Sequence, residues 1–244
     1  MKTYWKTAAG KRIYHSPELS VYQNPLYRWL VFKDQINLQT LLHRYQPHKP
    51  ALSYLQPFTT ALRTHPGPTC LLGLGGGAVA HMAASLKDCS MVAVEANSEV
   101  ISIASRYFMT NTLKNLNILH QDAHTYVTQC SDVYQHILID IYTAQGFPNT
   151  CAQLGFFQHC QRLLSCHGIL ALNLVNINQD FSVLQHIRHV FKHATVCIPV
   201  SGSANVVVLA SASLSYLMAL LQQQTPHLKT LIWDSVFGYM CRIK

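Results

Sequence analysis

Side chains that could do chemistry occur in this sequence where apolar, strand-like runs end. The glycine cluster Gly73-Leu74-Gly75-Gly76-Gly77 follows the first such run, and Glu95, Asp122 and Asp140 come at the ends of the next three. Glycines at this position permit a tight turn and a close approach of backbone N–H groups to a ligand. The chain has ten acidic residues, so three of them at successive strand ends favour a binding site over simple solvation.

The order of these groups predicts a nucleoside site. Glu95 lies 18 residues after Gly77, where a carboxylate can accept hydrogen bonds from both ribose hydroxyls. Asp122 follows the third strand, at the expected position of an adenine amino group, and Asp140 would face the atom at which transfer occurs. Open α/β sheets bind ligands at the carboxyl ends of their strands, so we expect these groups to converge there.

Apolar strand-like runs alternate with helix-period stretches from Cys70 onward, which predicts five strand–helix units followed by two strands. The predicted strands are Cys70–Leu74, Met91–Val94, Asn115–His120, His136–Ile141, Gly168–Val175, Ala194–Pro199 and Val206–Ala210. The predicted helices are Ala78–Leu86, Glu99–Phe108, Ala152–Leu164 and Phe181–Phe191. The short turn between the last two strands predicts an antiparallel edge.

This pattern predicts an α/β, Rossmann-like class I methyltransferase fold with a mostly parallel, seven-stranded sheet. We expect residues 50–213 to form this nucleoside-binding domain, with a first helix at Pro50–Leu62. Residues 1–49 contain short aromatic-rich runs divided by prolines and predict a small β-rich extension. Residues 214–244 are expected to form a helical tail.

Composition narrows the possible classes of function. The formal charge is +8, but the cations are spread along the chain without an aromatic-interleaved basic stripe, which argues against nucleic acid as substrate. The eight cysteines and fourteen histidines show no metal-site spacing, so we expect no metal and reduced thiols. No run reaches about 18 apolar residues and no secretory signal is evident, so we expect a cytoplasmic protein without a membrane partner.

Several motifs together resemble those of spermidine synthases and spermidine-synthase-like proteins. They are Leu71-Leu72-Gly73-Leu74-Gly75-Gly76-Gly77, Val94-Glu95, Arg106-Tyr107-Phe108, Gln121-Asp122-Ala123, Ile137-Leu138-Ile139-Asp140-Ile141-Tyr142, Phe156-Phe157 and Gly168-Ile169-Leu170. Tyr22-Gln23, Gln39-Thr40 and Tyr54 resemble parts of that family's β-domain and gate region. The resemblance spans residues 20 to 210.

The resemblance implies decarboxylated S-adenosylmethionine as donor and methylthioadenosine as product; S-adenosylmethionine itself stays open as donor. The glycine cluster, Gln39, Glu95, Asp122 and Ala123 would bind the donor.

By the same resemblance, Asp140 would be the catalytic base, with Tyr142 as a second catalytic residue. A protonated amine has no lone pair, so a carboxylate beside the sulfonium must orient it and remove a proton before in-line attack. Tyr54, Gln56 and Thr143 would bind a small-molecule amine substrate.

Three departures from the family pattern concern that amine. Spermidine synthases carry carboxylates where this chain has Ala78, Thr143 and Gln56. A desolvated ammonium without a partner costs several kcal/mol, so the sequence predicts a degenerate polyamine site.

Other functions stay open. A methyltransferase is the main alternative, because Ala78 leaves room for the carboxylate of S-adenosylmethionine. A noncatalytic nucleoside-binding protein and, more weakly, a dehydrogenase are further alternatives. We also expect a homodimer, from the aromatic N-terminal strands and the apolar stretch Leu231–Met240.

Overall fold

The computed structural model describes residues 4–32, 38–143, 146–224 and 228–243. A short helix, α1 (Tyr4–Thr7), precedes an antiparallel sheet in which neighbouring strands follow chain order. Its strands are β1 (Lys11–His15), β2 (Leu19–Gln23), β3 (Tyr27–Phe32) and β4 (Leu38–His43). The predicted β-rich extension is therefore present as a four-stranded sheet, called the small sheet below.

Two short helices, α2 (Leu55–Phe58) and α3 (Thr60–Thr64), connect the small sheet to the main one. The predicted helix Pro50–Leu62 is wrong in extent, because the chain before Tyr54 forms turns and the helix is interrupted at Thr59. The Thr59 hydroxyl donates to the Leu55 carbonyl at 2.7 Å. Such bonds from a threonine to the preceding turn bend or interrupt helices.

The main sheet alternates with helices as predicted. Its first seven strands are β5 (Thr69–Leu72), β6 (Met91–Glu95), β7 (Leu116–His120), β8 (Tyr134–Ile139), β9 (Leu164–Leu174), β10 (Thr195–Pro199) and β11 (Val206–Ser211). The helices are α4 (Ala78–Ala84), α5 (Ser98–Phe108), α6 (Ala123–Gln129), α7 (Leu154–Arg162) and α8 (Phe181–Val190).

The strand order is β10-β11-β9-β8-β5-β6-β7. Strands β9, β8, β5, β6 and β7 are parallel, and β11 lies antiparallel between β9 and β10. The mostly parallel sheet with an antiparallel edge is thus confirmed.

Burial on both faces explains the continuous apolar runs of the central strands. Successive β5 side chains point to opposite faces: Leu71 packs in one core layer, and Cys70 and Leu72 in the other. Helix α5 begins where the Asn97 side chain accepts from the backbone N–H groups of Glu99 and Val100. This fixed start places the helix against β6 and brings its end to the small sheet.

The C-terminal prediction is correct only for its first part. Helix α9 (Leu214–Gln224) is present, but β12 (Leu228–Asp234) and β13 (Gly238–Ile243) form a hairpin where a helical tail was expected. Strand β13 pairs in parallel with β10, so the described sheet has nine strands. The physical reason is that the hairpin covers the β10 edge and buries Cys241.

The small sheet packs against α5 and reaches the glycine cluster. Its buried Leu19, Val21, Leu30 and Leu42 contact an apolar face of that helix. In the part of the chain that the structure describes, no helix is long and apolar enough to span a membrane.

Candidate functional site

The glycine cluster forms a turn that side chains would obstruct. Gly73 and Gly77 have φ angles of 92° and 77°, in the region that L side chains rarely adopt. A Cβ on Gly73 would come within 2.3 Å of the Asp140 carbonyl oxygen. The turn therefore runs directly beside the tip of β8, and Gly75 and Gly76 continue it toward α4.

Residues of β4 close this turn from the other side. The Gly76 N–H donates to Thr40 Oγ1 at 2.7 Å. The Gln39 carbonyl oxygen lies 4.0 Å from the place that a Cβ on Gly75 would occupy. Gln39, which the sequence predicted at the donor site, therefore lies at the glycine cluster, and the small sheet supplies one wall there.

Glu95 lies at the end of β6 and is tied to the glycine cluster. Its carboxylate accepts from the backbone N–H of Leu74 and that of Asn97, each at 3.0 Å. A carboxylate has about four lone-pair sites, so two backbone bonds leave capacity for a further pair of donors such as ribose hydroxyls. The side chain is half-buried, which keeps it accessible.

Asp122 and Ala123 mark the start of α6. One Asp122 oxygen accepts from the backbone N–H and the hydroxyl of Thr125, at 2.9 and 3.1 Å. Asp122 is exposed and Ala123 is buried. The Asp122 carboxylate thus caps the helix with one oxygen and presents the other to solvent near the strand ends.

Asp140, at the tip of β8, is held by two donors. The Tyr54 hydroxyl donates to one carboxylate oxygen at 2.8 Å, and the Asn173 amide donates to the other at 2.9 Å. Burial raises the pKa of Asp140 above its ordinary value, and the bonds from Asn173 and Tyr54 oppose that rise. Burial also raises the pKa of Tyr54 well above its ordinary value, so its hydroxyl stays protonated and donates.

Sequence reasoning missed the residues that support Asp140 from behind. The buried Asn173 of β9 accepts at its carbonyl from the Asn205 amide at 2.8 Å. That bond fixes which end of the Asn173 amide points at Asp140. The signal was an asparagine within the otherwise apolar run Gly168–Val175, since buried polar side chains require partners.

Tyr142, the second residue predicted to be catalytic, has two hydrogen-bond partners in the segment after β9. Its hydroxyl donates to Asp180 at 3.0 Å and accepts from the Val175 N–H at 2.8 Å. Burial raises the pKa of Tyr142 far above its ordinary value, and the Asp180 charge adds to that rise. Tyr142 therefore joins the segment after β8 to the segment after β9, and Asp180 is a further half-buried carboxylate that the sequence did not single out.

The three positions that depart from the family pattern lie on different segments of the chain. Ala78 is the first residue of α4, directly after the glycine cluster. The Gln56 side chain is exposed on α2, while its carbonyl accepts from Thr60 and Arg63. Thr143 is exposed and donates to the Gly146 carbonyl at 3.1 Å. Of the residues predicted to bind the amine, Tyr54 donates a hydrogen bond to Asp140.

Metal ligands are not grouped in the described ranges. No cluster of three or more histidine, cysteine or acidic side chains suited to a metal ion occurs among those residues. Two surface depressions lie elsewhere, one beside Arg28 and Arg44 and one beside the histidines of α8. The strand ends instead bring together a glycine turn and carboxylates, which suit an uncharged ribose and a cationic group.

Solved structures share this fold. A spermidine synthase in complex with the transition state analogue AdoDATO matches with a TM-score of 0.67 and 16% identity, covering 85% of this chain and 76% of the other. Human methyltransferase-like protein 13 in complex with SAH matches with a TM-score of 0.61 and 17% identity, covering 76% and 97%. These likenesses confirm the Rossmann-like methyltransferase-type architecture.

Comparison with proteins of similar sequence identifies the family. The polyamine aminopropyltransferase of Chromobacterium violaceum is 26% identical over 178 residues, which is 71% of this chain and 68% of that protein. The model of the spermine/spermidine synthase domain matches residues 58–218, more than half of the chain. The chain therefore belongs to the spermine/spermidine synthase family of transferases.

Proposed function

We propose that this protein transfers an aminopropyl group from decarboxylated S-adenosylmethionine to a small amine. The observation that carries the proposal is the half-buried contact of Asp140 with Tyr54 and Asn173, beside the turn at Gly73. A nucleoside bound along the glycine turn would then present its sulfonium beside this restrained carboxylate. Membership in a family of transferases supports the same reading.

The donor fits the strand-end residues. The glycine turn would lie against the donor, Glu95 would accept the ribose hydroxyls, and the free oxygen of Asp122 would accept from the adenine amino group. Two structural neighbours with the same architecture are complexes with AdoDATO and SAH, both of S-adenosyl type. That shared ligand chemistry supports a nucleoside at this edge of the sheet.

Asp140 supplies the base. In its ionised form it would accept a proton from the acceptor ammonium, which frees the nitrogen lone pair. The nitrogen then attacks the propyl carbon next to sulfur, the carbon–sulfur bond breaks, and methylthioadenosine leaves with the electron pair. A carboxylate with a raised pKa holds the proton more strongly, so burial makes Asp140 a better base at neutral pH.

The acceptor is expected to carry less charge than putrescine. Ala78, Gln56 and Thr143 provide no carboxylate for a distal ammonium, and the side chains of Gln56 and Thr143 are exposed. Each missing charge-assisted contact would weaken binding, so putrescine should be a poor substrate. Methyl transfer from S-adenosylmethionine is the second candidate, favoured by the small Ala78 side chain beside the glycine turn.

Thermal titration of the protein with three ligands tests the donor. A ligand that binds only the folded state raises the melting temperature, and at equal concentration the tighter ligand raises it more. We expect decarboxylated S-adenosylmethionine and methylthioadenosine to stabilise the protein more than S-adenosylmethionine. The opposite ranking would support methyl transfer, and no stabilisation by any of the three would refute a nucleoside site.

A methylthioadenosine-release assay tests the acceptor. Putrescine, cadaverine and spermidine would be compared with a reaction that contains no acceptor. We expect little release with putrescine, and turnover at the level of ordinary spermidine synthases would refute the degenerate acceptor site.

We also propose that the protein forms a homodimer. Strand β12 lies at the edge of the main sheet and exposes Leu231, Ile232 and Trp233, with Val236 exposed in the following turn. Exposed apolar edges are usually covered. Light scattering at tens of micromolar should show a dimer, and a monomer would overturn this part of the proposal.

A further inference from the structure

A pocket separate from the strand-end site lies where the small sheet meets the end of α5. It has a volume of about 130 Å³ and is lined by Arg28, Leu42, Arg44, Tyr45, Tyr107 and Met109. None of these residues belongs to the strand-end site, and none has a role in the transfer reaction proposed above. It is called the arginine pocket below.

Strand pairing brings the two arginines together. Arg28 of β3 is directly opposite Leu42 of β4. Arg44 lies two residues beyond Leu42, and its N–H extends the ladder to the Leu26 carbonyl at 2.9 Å. Residues opposite each other, or two apart on a strand, share a face. Arg28 and Arg44 therefore project from the same face as Leu42, toward α5.

The two guanidinium groups have neutral partners. Arg28 donates to the Gln23 side chain and to the Tyr107 carbonyl, and Arg44 donates through Nη1 to the Asn24 and Pro25 carbonyls at 3.1 Å each. Among the described residues no carboxylate contacts either arginine, and the Nε and Nη2 groups of Arg44 have no acceptor.

Like charges in one pocket repel each other, and burial removes some of the water that would screen them. Burial and the neighbouring Arg44 charge both lower the pKa of Arg28. A third cation contacts a lining residue, because Arg106 stacks on Tyr107 with 5.5 Å between guanidinium carbon and ring centre. The pocket therefore combines excess positive charge with unused N–H donors.

The walls limit what could enter. Arg44 lies 5.7 Å from the Tyr45 ring centre, and Leu42 and Met109 provide apolar surface. A cavity of about 150 Å³ can hold one benzene molecule, so this pocket of about 130 Å³ is of a size that suits one small oxyanion. A cationic polyamine would be repelled.

We propose that the arginine pocket binds a phosphate group, either as inorganic phosphate or as the end of a small phosphomonoester. The planar guanidinium fork matches phosphate oxygens in geometry and charge. A phosphate anion would use the free donors of Arg44 and offset the repulsion between the arginines.

Calorimetric titration at constant ionic strength tests this proposal, with inorganic phosphate and phenyl phosphate as probes. We expect saturable binding of phosphate in the millimolar range or tighter. Tighter binding of phenyl phosphate would assign the pocket to a monoester whose ring lies on Tyr45, and equal or weaker binding would assign it to the free anion. Absence of saturable binding for both probes would overturn the proposal.

Two charge-matched variants separate the pocket from the net charge of the protein. Arg44→Gln should weaken the binding of phosphate by about tenfold or more, which is the usual effect of losing a charge-assisted partner. Lys87→Gln, which removes an exposed cation in a distant turn, should leave affinity unchanged. Equal losses in both variants would show nonspecific attraction and refute the site. If Arg44→Gln fails to fold, Arg44→Lys serves instead and should lose affinity by a smaller factor.

Discussion

An ionisable side chain lies near each end of strand β8, and the two side chains have different surroundings. His136 lies near the amino end of the strand and is fully buried, and Asp140 follows its carboxyl end. Burial disfavours the charged form of both groups, lowering the pKa of His136 to about 4 and raising that of Asp140. The difference lies in what surrounds each side chain.

At the amino end, the contact of His136 with the His65 carbonyl favours the charged form, but burial outweighs it. His136 Nε2 lies 2.7 Å from the His65 carbonyl, and Nδ1 has no partner in the described structure. At the carboxyl end Tyr54 and Asn173 both donate to the Asp140 carboxylate, which stabilises the ionised form. The comparison teaches that desolvation alone does not mark a functional group. Donors arranged around the charged form do.

Asp140→Asn should have the largest effect on activity. The variant keeps the size of the side chain and removes the base, so transfer should fall by about a thousandfold, in the range usual for general-base catalysis. Methylthioadenosine release under saturating donor measures the effect, and donor affinity should change little.

Asp88→Asn is the matched control, because Asp88 is exposed and its φ of 63° suits asparagine. Full activity in this control, with loss in Asp140→Asn, is the expected result. Activity that persists in Asp140→Asn would identify another base.

At the amino end of the strand, protonation should act on stability. His136 stays neutral in the folded protein down to about pH 4, while an unfolded histidine gains its proton near its ordinary value of 6.5. Between these values the unfolded state binds more protons, so the free energy of unfolding falls as pH falls. His136 should lower the free energy of unfolding by about 3 kcal/mol over this pH range, and denaturant titration at several pH values measures the effect.

His136→Gln should flatten that dependence, since glutamine does not titrate. His48→Gln removes an exposed histidine and should leave the dependence intact. An unchanged slope in His136→Gln would show that other groups cause the acid sensitivity.

Glu95→Ala should weaken the binding of methylthioadenosine by about 2 kcal/mol. This is the expected cost of losing a charge-assisted partner at the carboxyl ends of the strands. The fold should survive, although two backbone N–H groups lose an acceptor. Calorimetry measures the effect, with the exposed Glu18→Ala as control. Equal affinity in the wild type and Glu95→Ala would remove the ribose assignment.

Much of the main sheet could be predicted, because strands buried on both faces show as continuous apolar runs. Tyr134–Ile139 and Thr69–Leu72 are such strands. The C-terminal hairpin could not be predicted in this way. Its stabilising partner is β10, more than thirty residues earlier (Val196 pairs with Tyr239), and local periodicity carries no information about that pairing.

The strand-end residues Glu95, Asp122 and Asp140 were predictable because sheet topology fixes where strand ends meet. The side-chain contacts around these residues could not be predicted. Tyr54 and Asn173 reach Asp140 from 86 and 33 residues away, and the bond between Tyr142 and Asp180 spans 38 residues. Side-chain contacts over such separations depend on packing details that a linear pattern does not encode.

The smallest expected effect is that of removing one of the two donors to Asp140. Tyr54→Phe removes one donor to the carboxylate and leaves the ring, while Asn173 still donates to the other oxygen. Burial then acts with less opposition, so the pKa of Asp140 should rise further. Because the ionised carboxylate is the active form, the acid limb of the rate profile should move to higher pH by about one unit, or about 1.4 kcal/mol.

The rate measured well above that limb should fall by less than in Asp140→Asn. Tyr239→Phe on β13 is the control and should leave the profile in place. An acid limb that moves to lower pH, or does not move, would show that Tyr54 does not stabilise the ionised carboxylate. A purely structural loss would lower the rate at every pH without moving the limb, so the direction of the shift tests whether the donors around Asp140 keep it charged.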